Sequence, residues 1–242
     1  MAVTRLLATS GTPLLAAGIF KQSSPNHAQL LRRIDWRFLL PDPTLRRVAY
    51  VGSYDEVLLS ALQTFSQSLI TLHDSQQLET SSAERSAYDL LVLRSTNPQD
   101  VMRANQMLTS GGYLYWEIDR RAALPSDEPN ARSGWKKAVR WINRRLQPRM
   151  SPYKKYVAAL EFWSFSDIEV HWHRPDFENC LEFIPLDRKP ALQHVFSRNN
   201  GSLKDRISSM VGRSLVKMGL LPRLIPCFSL VARKSSSANE AA

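Results

Sequence analysis

Cysteine is scarce. The 242 residues contain two, Cys180 and Cys227, and neither belongs to a Cys-x-x-Cys pair. That argues against a zinc ribbon or a dithiol redox motif, and two buried thiols in a reducing compartment are expected instead. Long apolar runs are missing as well. Nothing approaches the roughly 20 residues needed to span a bilayer. The opening stretch, Met1 to Phe20, is mildly apolar with Arg5 near its start. Its longest apolar piece, Pro13 to Phe20, is short, no cleavage site follows, and it reads as an arm or docking helix. Glycine is sparse too, at nine residues. The chain has no Gly-x-Gly-x-x-Gly, no phosphate loop and no nucleophile elbow.

Acidic residues are absent from one long stretch. Between Arg132 and Lys155 there are nine basic residues and no acidic ones, which is nearly all of the net charge of +10. The remainder is close to neutral, so the surface-wide basic field of a nucleic-acid binder is not expected. Within this stretch the spacing predicts a helix over Trp135 to Gln147. Trp135, Ala138, Val139, Ile142 and Leu146 form its apolar stripe, with Lys136, Lys137, Arg140 and Arg144 opposite. Such a helix either packs on the domain with a solvated basic face or meets an anionic membrane surface.

What is plentiful is apolar sequence in short, ordered blocks. Hydrophobic residues make up 43% and charged residues 22%, the balance of a globular core. Strands are expected at Arg46 to Gly52, Ser68 to His73, Tyr88 to Arg94, Gly112 to Ile118, Ile168 to His173 and Cys227 to Arg233. Helices are expected at Asp55 to Ser66, Asn97 to Thr109, Tyr153 to Phe162, Pro190 to Ser197 and Leu203 to Met218. Ser110-Gly111-Gly112 reads as a left-handed cap on the Asn97 helix. Lys21 to His27 reads as a loop, and Trp36 to Pro41 as a buried lead-in. The alternation predicts an α/β domain, a Rossmann-like, mostly parallel sheet with helices on both faces and its last strand antiparallel. It occupies residues 45–234, after an arm and lead-in at 1–44 and before a disordered tail at 235–242.

Four stretches carry a family resemblance. Val48-Ala49-Tyr50-Val51-Gly52 matches a first strand with its first glycine, and Ile70-Thr71-Leu72-His73-Asp74 a second strand tipped by an acid. Tyr88-Asp89-Leu90-Leu91-Val92 matches a fourth strand, and Leu108 to Leu114, with Gly111-Gly112, the entry to a fifth. Together they resemble the class I S-adenosylmethionine (SAM) methyltransferases. His171 to Glu178, Ile184 to Asp187 and Asp35 to Pro41 are similar to methyltransferase-like proteins of bacterial polysaccharide biosynthesis. The resemblance implies SAM as cofactor and methyl transfer to a glycan, glycolipid or other small acceptor. It also implies a cytoplasmic protein, with the basic helix as a peripheral membrane contact. The rival expectation is a non-catalytic binding or scaffold protein on the same fold.

The resemblance places the cofactor at the turn after the first strand, where absent side chains let backbone approach a ligand. Here that turn is Tyr50-Val51-Gly52-Ser53-Tyr54-Asp55-Glu56. Only Gly52 remains of three glycines, and Tyr50 stands at the usual acidic position. Gly52, Ser53 and Asp55 are the candidate contacts. Asp55 and Glu56 read equally as a helix N-terminus. Asp74, 22 residues past Gly52, is the candidate for the ribose hydroxyls, or else a solvated loop acid. Thirteen residues separate Asp74 from Tyr88, barely enough for a crossover, so the usual third strand is expected to be missing. Arg94 either holds an anionic group or pairs with a nearby acid. Asn97-Pro98 reads as a helix start. His171 and His173 share one strand face; a metal site would need a third ligand such as Asp176 or Glu178, and a packed strand end is the simpler reading.

Overall fold

The computed structural model describes residues 26–72, 86–120, 153–198 and 203–235. The helix expected at Trp135 to Gln147, the arm before residue 26, Asp74 and all of the tail but Ser235 lie outside these residues.

Seven strands form one sheet: β1 (Leu45–Gly52), β2 (Ser66–Leu72), β3 (Tyr88–Arg94), β4 (Leu108–Asp119), β5 (Phe165–Arg174), β6 (Glu182–Pro185) and β7 (Cys227–Lys234). Their order is β2-β1-β3-β4-β7-β5-β6. β1 runs parallel to β2 and β3, and β3 parallel to β4. β7 is antiparallel to both β4 and β5, so it inserts against the grain between them. β6 adds an antiparallel margin to β5. This is the expected Rossmann-like, mostly parallel sheet with its last strand reversed. Among the described residues β2 is an edge strand, with no strand beyond it.

The central strands are apolar on both faces because both faces are covered. In β1, Ala49 and Val51 enter one core cluster while Val48 and Tyr50 enter the other; Leu91 and Leu93 of β3 divide from Leu90 and Val92 in the same way. One face carries α1 (His27–Arg33), a 3₁₀ turn (Asp35–Leu39) and α2 (Glu56–Phe65), through Ile34, Trp36, Leu58, Ala61 and Leu62. The other carries α3 (Asp100–Met107), α4 (Lys154–Phe162), α5 (Lys189–Ser197), α6 (Leu203–Lys217) and α7 (Leu221–Leu224), through residues such as Val101, Leu160, Leu192 and Val216. Trp36 is the buried lead-in expected, stacked on Tyr115 with ring centroids 3.8 Å apart.

Local chemistry sets several boundaries. Asp55 caps α2, its carboxylate accepting from the Leu58 amide at 2.9 Å. At the far end the Ser66 hydroxyl donates to the Leu62 carbonyl at 2.6 Å and the chain passes straight into β2. A capping box between Asn26 and Gln29 starts α1 where a loop was expected. The largest departure is at the glycine pair. α3 ends at Met107, and β4 already begins at Leu108. Gly111, at φ +77°, therefore lies inside the strand and not at a helix cap. Leu108 pairs with Tyr88, and the Thr109 hydroxyl donates to the Tyr88 carbonyl at 3.1 Å. The register then shifts between Tyr88 and Leu90, and the glycines take up that irregularity.

Candidate cofactor site

β2 and β3 flank β1 on opposite sides, so the strand order switches direction at β1 while all three strands stay parallel. In open α/β sheets such a switch opens a crevice beyond the carboxyl ends of the strands. The last paired residues of β1 and β3 are Gly52 and Arg94. Gly52 has φ +147°, and a Cβ there would lie 2.5 Å from the Arg94 carbonyl oxygen. The glycine is therefore required by the approach of β3. Ser53 follows at the surface, and Tyr54 stands out from the turn, 70% exposed. Tyr50, fully buried at the position where an acid was expected, donates its hydroxyl to the Ser53 carbonyl and closes the turn from inside. Burial pushes the Tyr50 phenol up to about 12, so it stays a donor.

Asp55 and Arg94 meet at this rim, with Arg94 Nη1 2.5 Å from Asp55 Oδ2. The same carboxylate oxygen receives Arg33 Nη2 at 3.1 Å, while the other accepts the Leu58 amide. Arg33 ends α1 and is buried. Its two terminal nitrogens reach Glu117 of β4 at 2.6 and 2.7 Å, a fork-to-fork pair. Two guanidiniums and two carboxylates thus balance. Burial alone would raise the Asp55 carboxyl, but Arg33, the Leu58 amide and Arg94 outweigh it, and its pKa falls below the ordinary value. Burial likewise opposes the charge on Arg33, and Glu117 more than restores it.

The network continues into the sheet. The Tyr115 hydroxyl donates to Glu117 at 3.2 Å and lies 3.4 Å from His173 Nε2, which is 2.8 Å from the Ser229 hydroxyl. His171 and His173 do share a face, and both are buried. Desolvation holds His173 well below its ordinary pKa, with the Arg33 charge adding to it; His171 is lowered chiefly by burial. Among the described residues no group of three or more His, Cys, Asp or Glu is placed to hold a metal. After β3 the loop is locked: Trp116 Nε1 donates to the Ser95 carbonyl at 2.7 Å, and the Ser95 hydroxyl to Asp100 at 2.5 Å. The Asn97 side chain accepts from the Gln99 amide at 3.1 Å, a turn that leads into α3 at Asp100.

Gly52, Ser53, Asp55 and Arg94 are therefore brought to one rim. Asp74, Lys136, Lys137, Arg140 and Arg144 lie outside the described residues. Arg33 and Glu117 were not singled out in the sequence. Their signal was present as charges inside apolar runs, Leu30-Leu31-Arg32-Arg33-Ile34 and Tyr113 to Ile118. SAM can be tested against this geometry. A bare strand end at Gly52 and Ser53 fits backbone approach, and the partly exposed Arg94 fits the cofactor's carboxylate. The Asp55 carboxylate is taken by three donors from the chain itself, so its part is to hold the rim.

No family model matches the chain, and no curated protein matches it. Solved structures of similar path include SAM-dependent methyltransferases. One, from Archaeoglobus fulgidus, is 12% identical, with 85% of this chain and 94% of that one covered and a TM-score of 0.44. One from Thermotoga maritima is 11% identical over 86% and 89%, with a TM-score of 0.40. Phosphoethanolamine N-methyltransferase 2 of Haemonchus contortus, solved with S-adenosyl-L-methionine, is 15% identical over 86% of this chain and 53% of that one, at 0.43. At such identities and TM-scores the likeness assigns no residue a role.

Proposed function

We propose that the chain binds SAM at the carboxyl edge between β1 and β3 and serves methyl transfer to a small acceptor. The observation that carries this reading is the switch in strand order at β1, with a side-chain-free Gly52 and a rim arginine at that point. When bound, SAM supplies an electrophilic methyl for in-line transfer to an oxygen or nitrogen. The chain's own contribution is positioning. Gly52 and Ser53 present backbone to the ligand, Arg94 holds its carboxylate, and Asp74 receives the ribose hydroxyls. A groove of about 1020 Å³ between α3 and α4 opens at the loop after β3, lined by Asn97, Met102, Ala159, Phe162 and Trp163 among others, and offers the acceptor room. A glycan or glycolipid acceptor, and an anionic membrane contact through Lys136, Lys137, Arg140 and Arg144, belong to the same proposal.

A second reading, a binding protein without catalysis, is favoured by Tyr50 at the acidic position and by the engagement of Asp55. Calorimetric titration of the purified protein with SAM tests the cofactor claim. Saturable binding, weakened about tenfold or more in Asp74→Ala, is expected. Absence of heat at millimolar SAM would overturn it.

A further inference from the structure

Glu117, Arg33, Asp55 and Arg94 form a chain of alternating charge from the middle of the sheet to the crevice. Side-chain exposure rises along it from 0% at Glu117 and 1% at Arg33 to 8% at Asp55 and 22% at Arg94. Only the last member meets solvent to any extent. Each link fixes the next. Glu117 orients the Arg33 fork through both its oxygens. Arg33 reaches the Asp55 oxygen that also binds Arg94, so one carboxylate oxygen is shared by two guanidiniums. Sharing divides the charge of Asp55 between the two guanidiniums. Without Arg33 the whole charge of Asp55 would fall on Arg94 and draw its fork inward, off the rim.

The geometry points to Arg33 and Glu117 as positioning residues: they set the aim of the Arg94 guanidinium and so make α1 part of the ligand site, although neither lies at the rim. This rests on the proposed reading of the crevice as a SAM site. It extends that reading to a segment before β1 for which neither motif nor resemblance assigns a role in ligand binding.

Positioning must be separated from stability. Removing one member of a buried ion pair leaves the other uncompensated, whereas replacing both with apolar groups is often neutral. Arg33→Met alone should therefore melt at a lower temperature than the parent, and Arg33→Met/Glu117→Leu should recover most of that loss. SAM affinity, read by calorimetry, should stay about tenfold weaker in the double variant, the scale of one lost charged hydrogen bond. Arg33→Lys, which keeps the charge but loses the fork, should show the same loss. Parental affinity in the folded double variant or in Arg33→Lys would overturn the inference. If the parent itself binds no SAM, the cofactor proposal is what fails, and amide exchange at Leu58 then decides the inference. Loss of Arg33 turns the Asp55 carboxylate toward Arg94 and loosens its cap on α2, so Leu58 exchange should quicken about tenfold while core amides of β3 hold steady; an unchanged Leu58 rate would overturn it.

Discussion

Gly52 shows how a single residue can be special for a second reason that its own sequence does not reveal. A glycine ending an apolar strand is legible in any sequence as a turn, and the resemblance gave it a ligand to face. The structure gives it a nearer neighbour, the backbone of Arg94 on the adjacent strand. That demand is invisible locally because it comes from the register of β1 against β3. Gly52→Ala would place its Cβ 2.5 Å from a carbonyl oxygen at a φ of +147°. A loss of about 2 kcal/mol or more in urea unfolding is expected, with a displaced β1–β3 end. An unchanged unfolding midpoint would mean that β3 does not press on that glycine. Asp55 likewise carried two readings, ligand contact and helix cap. The cap is present, and the carboxylate also joins two arginines, one of them in the 1–44 segment read only as arm and lead-in.

Among the elements, those fixed by local pattern were legible and those fixed by distant pairing were not. β3 follows from an unbroken apolar run, and α2 from one apolar stripe behind a capping aspartate. The start of β4 did not follow, because Gly111-Gly112 looks the same at a helix end and at a strand irregularity. Only pairing with Tyr88 distinguishes them. The buried polar row across β4, β7 and β5 was hidden for a similar reason. Arg33 and Glu117 stand 84 residues apart, and Tyr115 and His173 stand 58 apart. That row makes a pH prediction. His171 and His173 are held below their ordinary value of 6.5, so between pH 6.5 and their folded values the unfolded chain binds more protons than the native one. Stability is full above pH 6.5 and falls as pH drops below it, by up to about 1.4 kcal/mol per pH unit for each histidine. Denaturant melts between pH 8 and 5 should show that slope, and His173→Gln should roughly halve it. An equally steep slope in the variant would place the titration elsewhere.

Over the whole molecule, the sheet order and the charge distribution are the two facts that reach furthest. The order places the crevice where β2 and β3 part around β1, and it follows from the alternation of strands and helices in the chain. What the alternation could not supply is how the crevice is built. Its rim residues come from β1, the start of α2 and β3, and the charges buried behind them from α1 and β4. In the sequence the excess positive charge gathers at 132–155, and at the rim Arg94 is paired with Asp55, backed by the buried Arg33 and Glu117. On the proposed reading, shape and Arg94 would hold a ligand at this rim. Amide chemical shifts recorded during a SAM titration test this most directly. Saturable shifts clustered at Gly52, Ser53 and the end of β3 around Arg94 are expected. Shifts that leave those amides unmoved, whether absent altogether or gathered on another face, would contradict a cofactor site at the β1–β3 edge.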